Sequence, residues 1–231
     1  HGMVGLINMP SARFYDESSF GITLYGGDPD QKLTFTSSPF DWLEASFFYT
    51  RIQDQPYCEL DYEFCEQSAK DKGFNIKLRL KKQGILPAIA IGIQDIAGTG
   101  YYSSEYVVGS YGINKTDLHF GLGWGLLNGS DNNFRNPLGY LNDTFNSRPS
   151  GGSGYGGQFQ PERYFSGNSA SPFFGISRAL GSKLFLKLEY DTTVAPGNIG
   201  YEAPKEDFSF GIDYKINNNF TIGLASERGN Y

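Results

Sequence analysis

The 231-residue chain has no run approaching ~18 consecutive apolar residues, the length a membrane-crossing helix needs. Its mean hydropathy is −0.39. Neither fact bears on a transmembrane barrel, whose strands alternate and are polar on average. Nowhere does an apolar stripe of 3.6-residue period persist over three turns, which argues against a helical fold. Histidines and cysteines number two each, too few for an ordinary metal site, and no cofactor is expected. The net charge of −6 and the absence of basic clusters outside one strand argue against a nucleic-acid partner. No basic-then-apolar signal segment opens the chain at His1, as expected of a mature chain or a fragment.

What is abundant is glycine, at 30 residues, and aromatic side chains, with 19 Phe, 16 Tyr and 2 Trp. Strict two-residue alternation recurs along the chain. In "FNIKLRLKK" (74–82), Phe74, Ile76, Leu78 and Leu80 share one face, and Asn75, Lys77, Arg79 and Lys81 share the other. Two settings suit such a strand. One is a soluble sheet with a core face and a water face. The other is a barrel wall with lipid outside and a polar lumen inside.

Strands are predicted at 20–26, 31–38, 41–52, 72–82, 86–95, 101–111, 115–127, 172–180, 182–191, 207–215 and 219–227, with a further apolar piece at 3–9. Their usual length of about nine to eleven residues suits a bilayer better than a soluble sheet. The connections alternate between tight turns ("PF", "QGI", "GIN", Gly181, "NNN") and longer loops (27–30, 53–71, 96–100, 128–171, 192–206). A membrane barrel with short periplasmic turns and long external loops produces this parity directly. A Greek-key sandwich does not. The expected architecture is therefore an all-β, antiparallel, up-and-down transmembrane barrel of 11–12 strands, with residues 1–19 as an N-terminal segment and 20–231 as the barrel. Eleven strands is an odd count, so either 3–9 completes the wall or a closing strand lies beyond Tyr231; the second is expected.

The predicted lumen lining is mixed. Lys32, Lys77, Arg79, Lys81, Lys183, Lys187 and Lys215 are basic; Glu44, Asp117, Glu189, Asp213 and Glu227 are acidic. Glu44, on the strand before, is placed to pair with Lys77 and Arg79 across the ladder. Polar linings with aromatics suit sugars, though any barrel lumen is polar. Candidate polysaccharide contacts are Lys77, Arg79, Lys81, Lys183, Lys187, Glu44 and Glu189. Cys58 and Cys65, with six residues between them, read as a disulfide closing a small external loop, which implies an oxidising compartment. The same loop holds six carboxylates, but their spacing matches no calcium loop. "GGSGYGG" (151–157) lacks the flanking strand and helix of a phosphate loop. The 44 residues of 128–171 are too many for a bare connection and suggest an element that folds into the lumen or covers its mouth. Asp117 and His119 share a strand face, yet they lie beside a short turn and no serine accompanies them, so no enzyme is expected.

Seven motifs occur in order: "GLINMPSARF" (5–14), "DWLEASFFYT" (41–50), "KDKGFNIKLRL" (70–80), "DIAGTGYYSSEYVV" (95–108), "FGLGWG" (120–125), "KLEYD" (187–191) and "ERGN" (227–230). Together they resemble the YjbH/GfcD-type outer-membrane lipoproteins associated with exopolysaccharide and capsule production. The resemblance implies a Gram-negative outer-membrane barrel in contact with lipid, polysaccharide and other export proteins, and it supplies no catalytic residues. Cys58 and Cys65 lie too far into the chain to carry the lipid of such a lipoprotein. Rival functions are a general diffusion channel and a structural or adhesive surface barrel. Eleven or twelve strands is small for an open porin.

Overall fold

The structure, a computed structural model, describes residues 2–27, 30–57, 67–150, 157–194 and 206–229. Eleven strands form one antiparallel meander: β1 (Ser19–Gly26), β2 (Asp30–Phe40), β3 (Leu43–Pro56), β4 (Ser68–Lys81), β5 (Ala88–Gln94), β6 (Ser104–Ile113), β7 (Thr116–Gly125), β9 (Ser169–Ala179), β10 (Leu184–Tyr190), β11 (Phe208–Lys215) and β12 (Thr221–Ser226). A two-residue strand, β8 (Phe134–Arg135), sits off this path and pairs with β9. Among the described residues no helix is long and apolar enough to cross a membrane.

Turn chemistry explains the tight connections. Asn114, with φ +55°, reverses the chain between β6 and β7. Gly181, at φ +102°, does so between β9 and β10, a backbone region that costs glycine nothing. All the tight turns fall at one end of the sheet. The described residues of the longer connections, 95–103, 126–150, 157–168, 191–194 and 206–207, fall at the other. Three strands begin three or more residues from their sequence limits. β4 starts at Ser68, four residues early, β9 at Ser169, three early, and β6 at Ser104, three late, because 95–103 folds as a separate loop.

The alternation sorts polarity in the reverse of a water-soluble protein. Phe20, Ile22, Leu24, Phe74, Leu80, Phe120, Phe174, Phe210, Ile222 and Leu224 are exposed on the outer face. Glu44, Lys77 and Glu189 are each 0% exposed on the inner face, beside buried Thr34, Thr36, Ser46 and Asn75. The sheet curls until its two ends come within side-chain reach, and the Tyr25 hydroxyl donates to Glu227 Oε1 at 2.8 Å. It does not close: β1 pairs only with β2, and β12 only with β11. The all-β antiparallel meander is as expected, and among the described residues it is an open, strongly curled sheet rather than a closed barrel. The cause is visible in the topology. Eleven antiparallel strands leave the first and last running the same way, so they cannot extend the antiparallel ladder to each other.

Residues 3–9 do not complete the wall. They lie inside the curl, where Gly5 bridges only to Pro10 of the same segment.

Candidate functional site

The interior contains the chain's own N-terminal segment. Residues 2–15 enter beside the tight turns, reverse near the opposite rim and return. Arg13 marks the entry, with its guanidinium on Asp117 (Nε–Oδ2 2.7 Å) and Gln83 (2.5 Å). Asn8 marks the reversal, where its amide donates to Asp191 and Glu227, both at 2.8 Å. The return ends at Gly2, whose carbonyl accepts from Thr36 Oγ1 at 2.9 Å.

This segment makes few backbone bonds to itself, so its buried N–H and C=O groups need partners elsewhere. Side chains of the inner wall supply them. Glu189 accepts from the backbone N–H of Ile7, Asn8 and Met9 at 2.9, 2.8 and 3.1 Å. Glu44 accepts from Val4 and Tyr15 at 3.0 and 3.2 Å. The Lys77 ammonium donates to the carbonyls of Val4 and Arg13 at 2.9 and 2.7 Å, and it meets Glu44 at 2.9 Å. Lys187 donates to the Leu6 carbonyl and pairs with Asp213 at 2.7 Å. Phe14 lies under Lys77 and Arg79, 4.5 and 4.3 Å from its ring centre. Leu6, Met9 and Ala12 join Ala88, Ala90, Tyr106, Val108, Leu127 and Phe173 in a small apolar core. Gly175 leaves the space that Leu6 fills: a Cβ there would stand 2.3 Å from Leu6 Cδ1.

Residues 126–150 and 157–168 cap the long-loop end of the sheet, where they pack on Glu105 and Trp124, a cross-strand pair on the face opposite to the inward-facing Tyr106 and Val108. Asn136, fully buried, organises them. Its amide donates to the carbonyls of Phe145, Phe165 and Gly167 at 2.9, 2.9 and 3.0 Å, and its oxygen accepts from Trp124 Nε1 at 3.0 Å. Arg148 forks onto the buried Glu105 carboxylate through two bonds of 2.7 and 2.9 Å. Tyr164 donates its hydroxyl to the Ile96 carbonyl. Asp95, just beyond β5, is held with its pKa pushed up to about 6, first by burial and then by the nearby Asp71 carboxylate.

The candidate polysaccharide contacts therefore fall into two groups. Lys77, Arg79, Lys187, Glu44 and Glu189 are brought together around the N-terminal segment. Lys81 and Lys183 lie apart from it, exposed at the tight-turn rim. His119 stands between Ser110 (2.8 Å) and Ser177 (3.4 Å), while Asp117 is engaged by Arg13; no carboxylate orients the imidazole. Ser110 also accepts from the Ala12 N–H at 2.8 Å. Cys58 and Cys65 lie outside the described residues. Sequence reasoning missed Asn136, Glu105 and Arg148; a buried loop asparagine leaves no periodic signal.

Fold and interior define a curled β-meander, apolar outside and charged within, whose interior is occupied in part by its own N-terminal segment. The chain belongs to the YjbH family, described as "Exopolysaccharide biosynthesis protein YbjH", which it matches over residues 1–231. It is 34% identical, over 99% of its length, to a protein of Escherichia coli (strain K12) named "Uncharacterized lipoprotein YjbH". It spans 33% of that relative. No solved structure matches it.

Proposed function

We propose that this chain forms most of the wall of an outer-membrane β-barrel in a Gram-negative envelope. There it serves exopolysaccharide or capsule export or assembly as a plugged scaffold rather than as an open pore. The single observation that carries this reading is the inverted distribution of polarity. Contiguous exposed Phe, Leu and Ile side chains surround an interior holding fully buried Glu44, Lys77 and Glu189. Water penalises an apolar patch of that extent, whereas hydrocarbon penalises charge on the same face by about 2–4 kcal/mol per residue near the midplane. Family membership supports the polysaccharide role.

The partly occupied interior disfavours the diffusion-channel reading. Polymer would meet Lys77, Arg79 or Lys187 only after the N-terminal segment had left. The tight-turn rim offers cations without that displacement. Lys81, Lys82, Lys115, Arg178 and Lys183 are all exposed there. We place first contact with an acidic polymer, and with partner export proteins, on this periplasmic rim. No catalytic role is assigned.

The test has two parts. The full-length protein, reconstituted in planar bilayers, is expected to be silent; a large steady conductance would contradict the plugged reading. A strain lacking the gene should lose secreted polymer, and Lys81→Gln with Lys183→Gln should lower output without lowering membrane insertion. Normal output from the deletion strain would overturn the functional assignment.

A further inference from the structure

The wall carries a slot between β1 and β12. It opens into a cavity of about 640 Å³, lined by Thr23, Tyr25, Thr221, Gly223, Ala225 and Glu227 and backed by the N-terminal segment. Both strands present an unpaired backbone edge to it. Unsatisfied strand edges template further pairing, and hydrocarbon tolerates none.

Three observations identify what fits. First, β1 and β12 run in the same direction, so a single strand running the opposite way pairs antiparallel with both and brings the total around the wall to an even number. Second, the edges are held apart. Tyr25 and Glu227 meet tip to tip across the slot, and two side chains end to end span more than the roughly 4.8 Å between directly paired strands. Third, the rims are amphipathic in register. Leu24 and Leu224, 81% and 78% exposed, stand at the mouth of the slot, and Thr23, Gly223 and Ala225 alternate with them on the inner face of the same strands.

We infer that the slot receives one β-strand from another part of the same polypeptide, antiparallel to β1 and β12. It carries apolar side chains outward and small or polar ones inward. A second copy cannot supply it. In a shared membrane every copy presents β1 and β12 edges running the same way, so edges of two copies meet parallel. The E. coli relative has about two thirds of its length outside the matched part, room for such a strand. The inference rests on the membrane reading for the outward apolar pattern and for the exclusion of a second copy; the antiparallel direction of the strand rests on the topology alone.

The test uses the full-length protein in detergent micelles. Hydrogen exchange is followed at the slot-facing amides of Ser19–Gly26 and Thr221–Ser226. The inference expects protection equal to that of β2, at least ~100-fold above an unpaired edge. Exchange at the unpaired rate overturns it and leaves the membrane reading untouched. Protection that disappears on dilution to monomer assigns the occupant to a second copy and also overturns it. Thr23→Cys with Ala225→Cys decides the remaining case. These positions are level, two residues below the Tyr25–Glu227 contact. With a strand between them their Cα atoms lie about 10 Å apart, too far for a disulfide. Both thiols should stay free under oxidation; a disulfide means direct parallel closure and contradicts the inference.

Discussion

Two segments pack against the sheet, one within its curl and one capping its long-loop end on Glu105 and Trp124, and they are held by opposite means. Residues 126–150 and 157–168 fold largely on themselves, with the Asn136 side chain gathering carbonyls from Phe145, Phe165 and Gly167. Residues 2–15 have almost no structure of their own. Their backbone is bonded by Glu44, Lys77, Lys187 and Glu189, which arrive from four positions on the wall. The loop is a small fold attached at Glu105 and Trp124. The N-terminal segment is a ligand that happens to be covalently attached. Charged wall residues that would be expensive to bury alone become affordable once a peptide backbone satisfies them.

The comparison breaks most visibly at Glu189. Replacing it with Ala strands three N–H groups, that of Met9 buried and those of Ile7 and Asn8 half-buried, and should cost on the order of 3–4 kcal/mol in denaturant unfolding. Protease should then cut within 2–15 while 126–150 and 157–168 stay intact. If both segments become sensitive together, they are one unit and the contrast fails. Lys77→Met is comparable, at about 3–5 kcal/mol, because it leaves Glu44 buried and unpaired. Adding Glu44→Leu should recover part of that loss, measured as a rise in the unfolding midpoint. No recovery would mean that the backbone bonds, not the ion pair, dominate.

Asn136→Ala sharpens the other side. It should cost about 2–3 kcal/mol and open 126–150 and 157–168 to protease with the N-terminal segment still protected. Arg148→Lys keeps the charge but loses the two-pronged geometry on Glu105, an expected loss of about 1 kcal/mol by the same unfolding measurement.

The smallest effect is a pH dependence confined to the loop after β5. The fold raises the Asp95 pKa to about 6 from an ordinary value near 3.9. A raised carboxyl pKa means the folded state favours the protonated form. Its contribution is complete below pH ~4, declines as pH rises towards ~6, and changes no further above that. Hydrogen exchange in 95–103 should quicken across that window, and Asp95→Asn should flatten the dependence.

Strands and turns were legible because they are local. The alternation in 74–81 and 184–190 needs no distant partner to be read, and neither do Asn114 or Gly181 at their turns. The pairing of Glu44 with Lys77 was legible one step further, since they are cross-strand neighbours in adjacent strands. The fate of 2–15 was not. Its partners lie 29 to 219 residues away along the chain, and a segment bonded by side chains carries no period. Lumen cations therefore looked available for polymer when a closer ligand already held them. The unclosed seam was half legible: an odd strand count signals it, but the slot's position and polarity emerge only from the curl.

The claim on which everything else depends is that the outer face meets lipid. Spin labels placed singly at Ile22, Phe74, Phe120 and Phe210 in the membrane-embedded full-length protein test it most directly. The account predicts strong relaxation by dissolved oxygen and little by a water-soluble nickel complex at all four sites. Free access of the nickel complex to all four would place that face in water and contradict it.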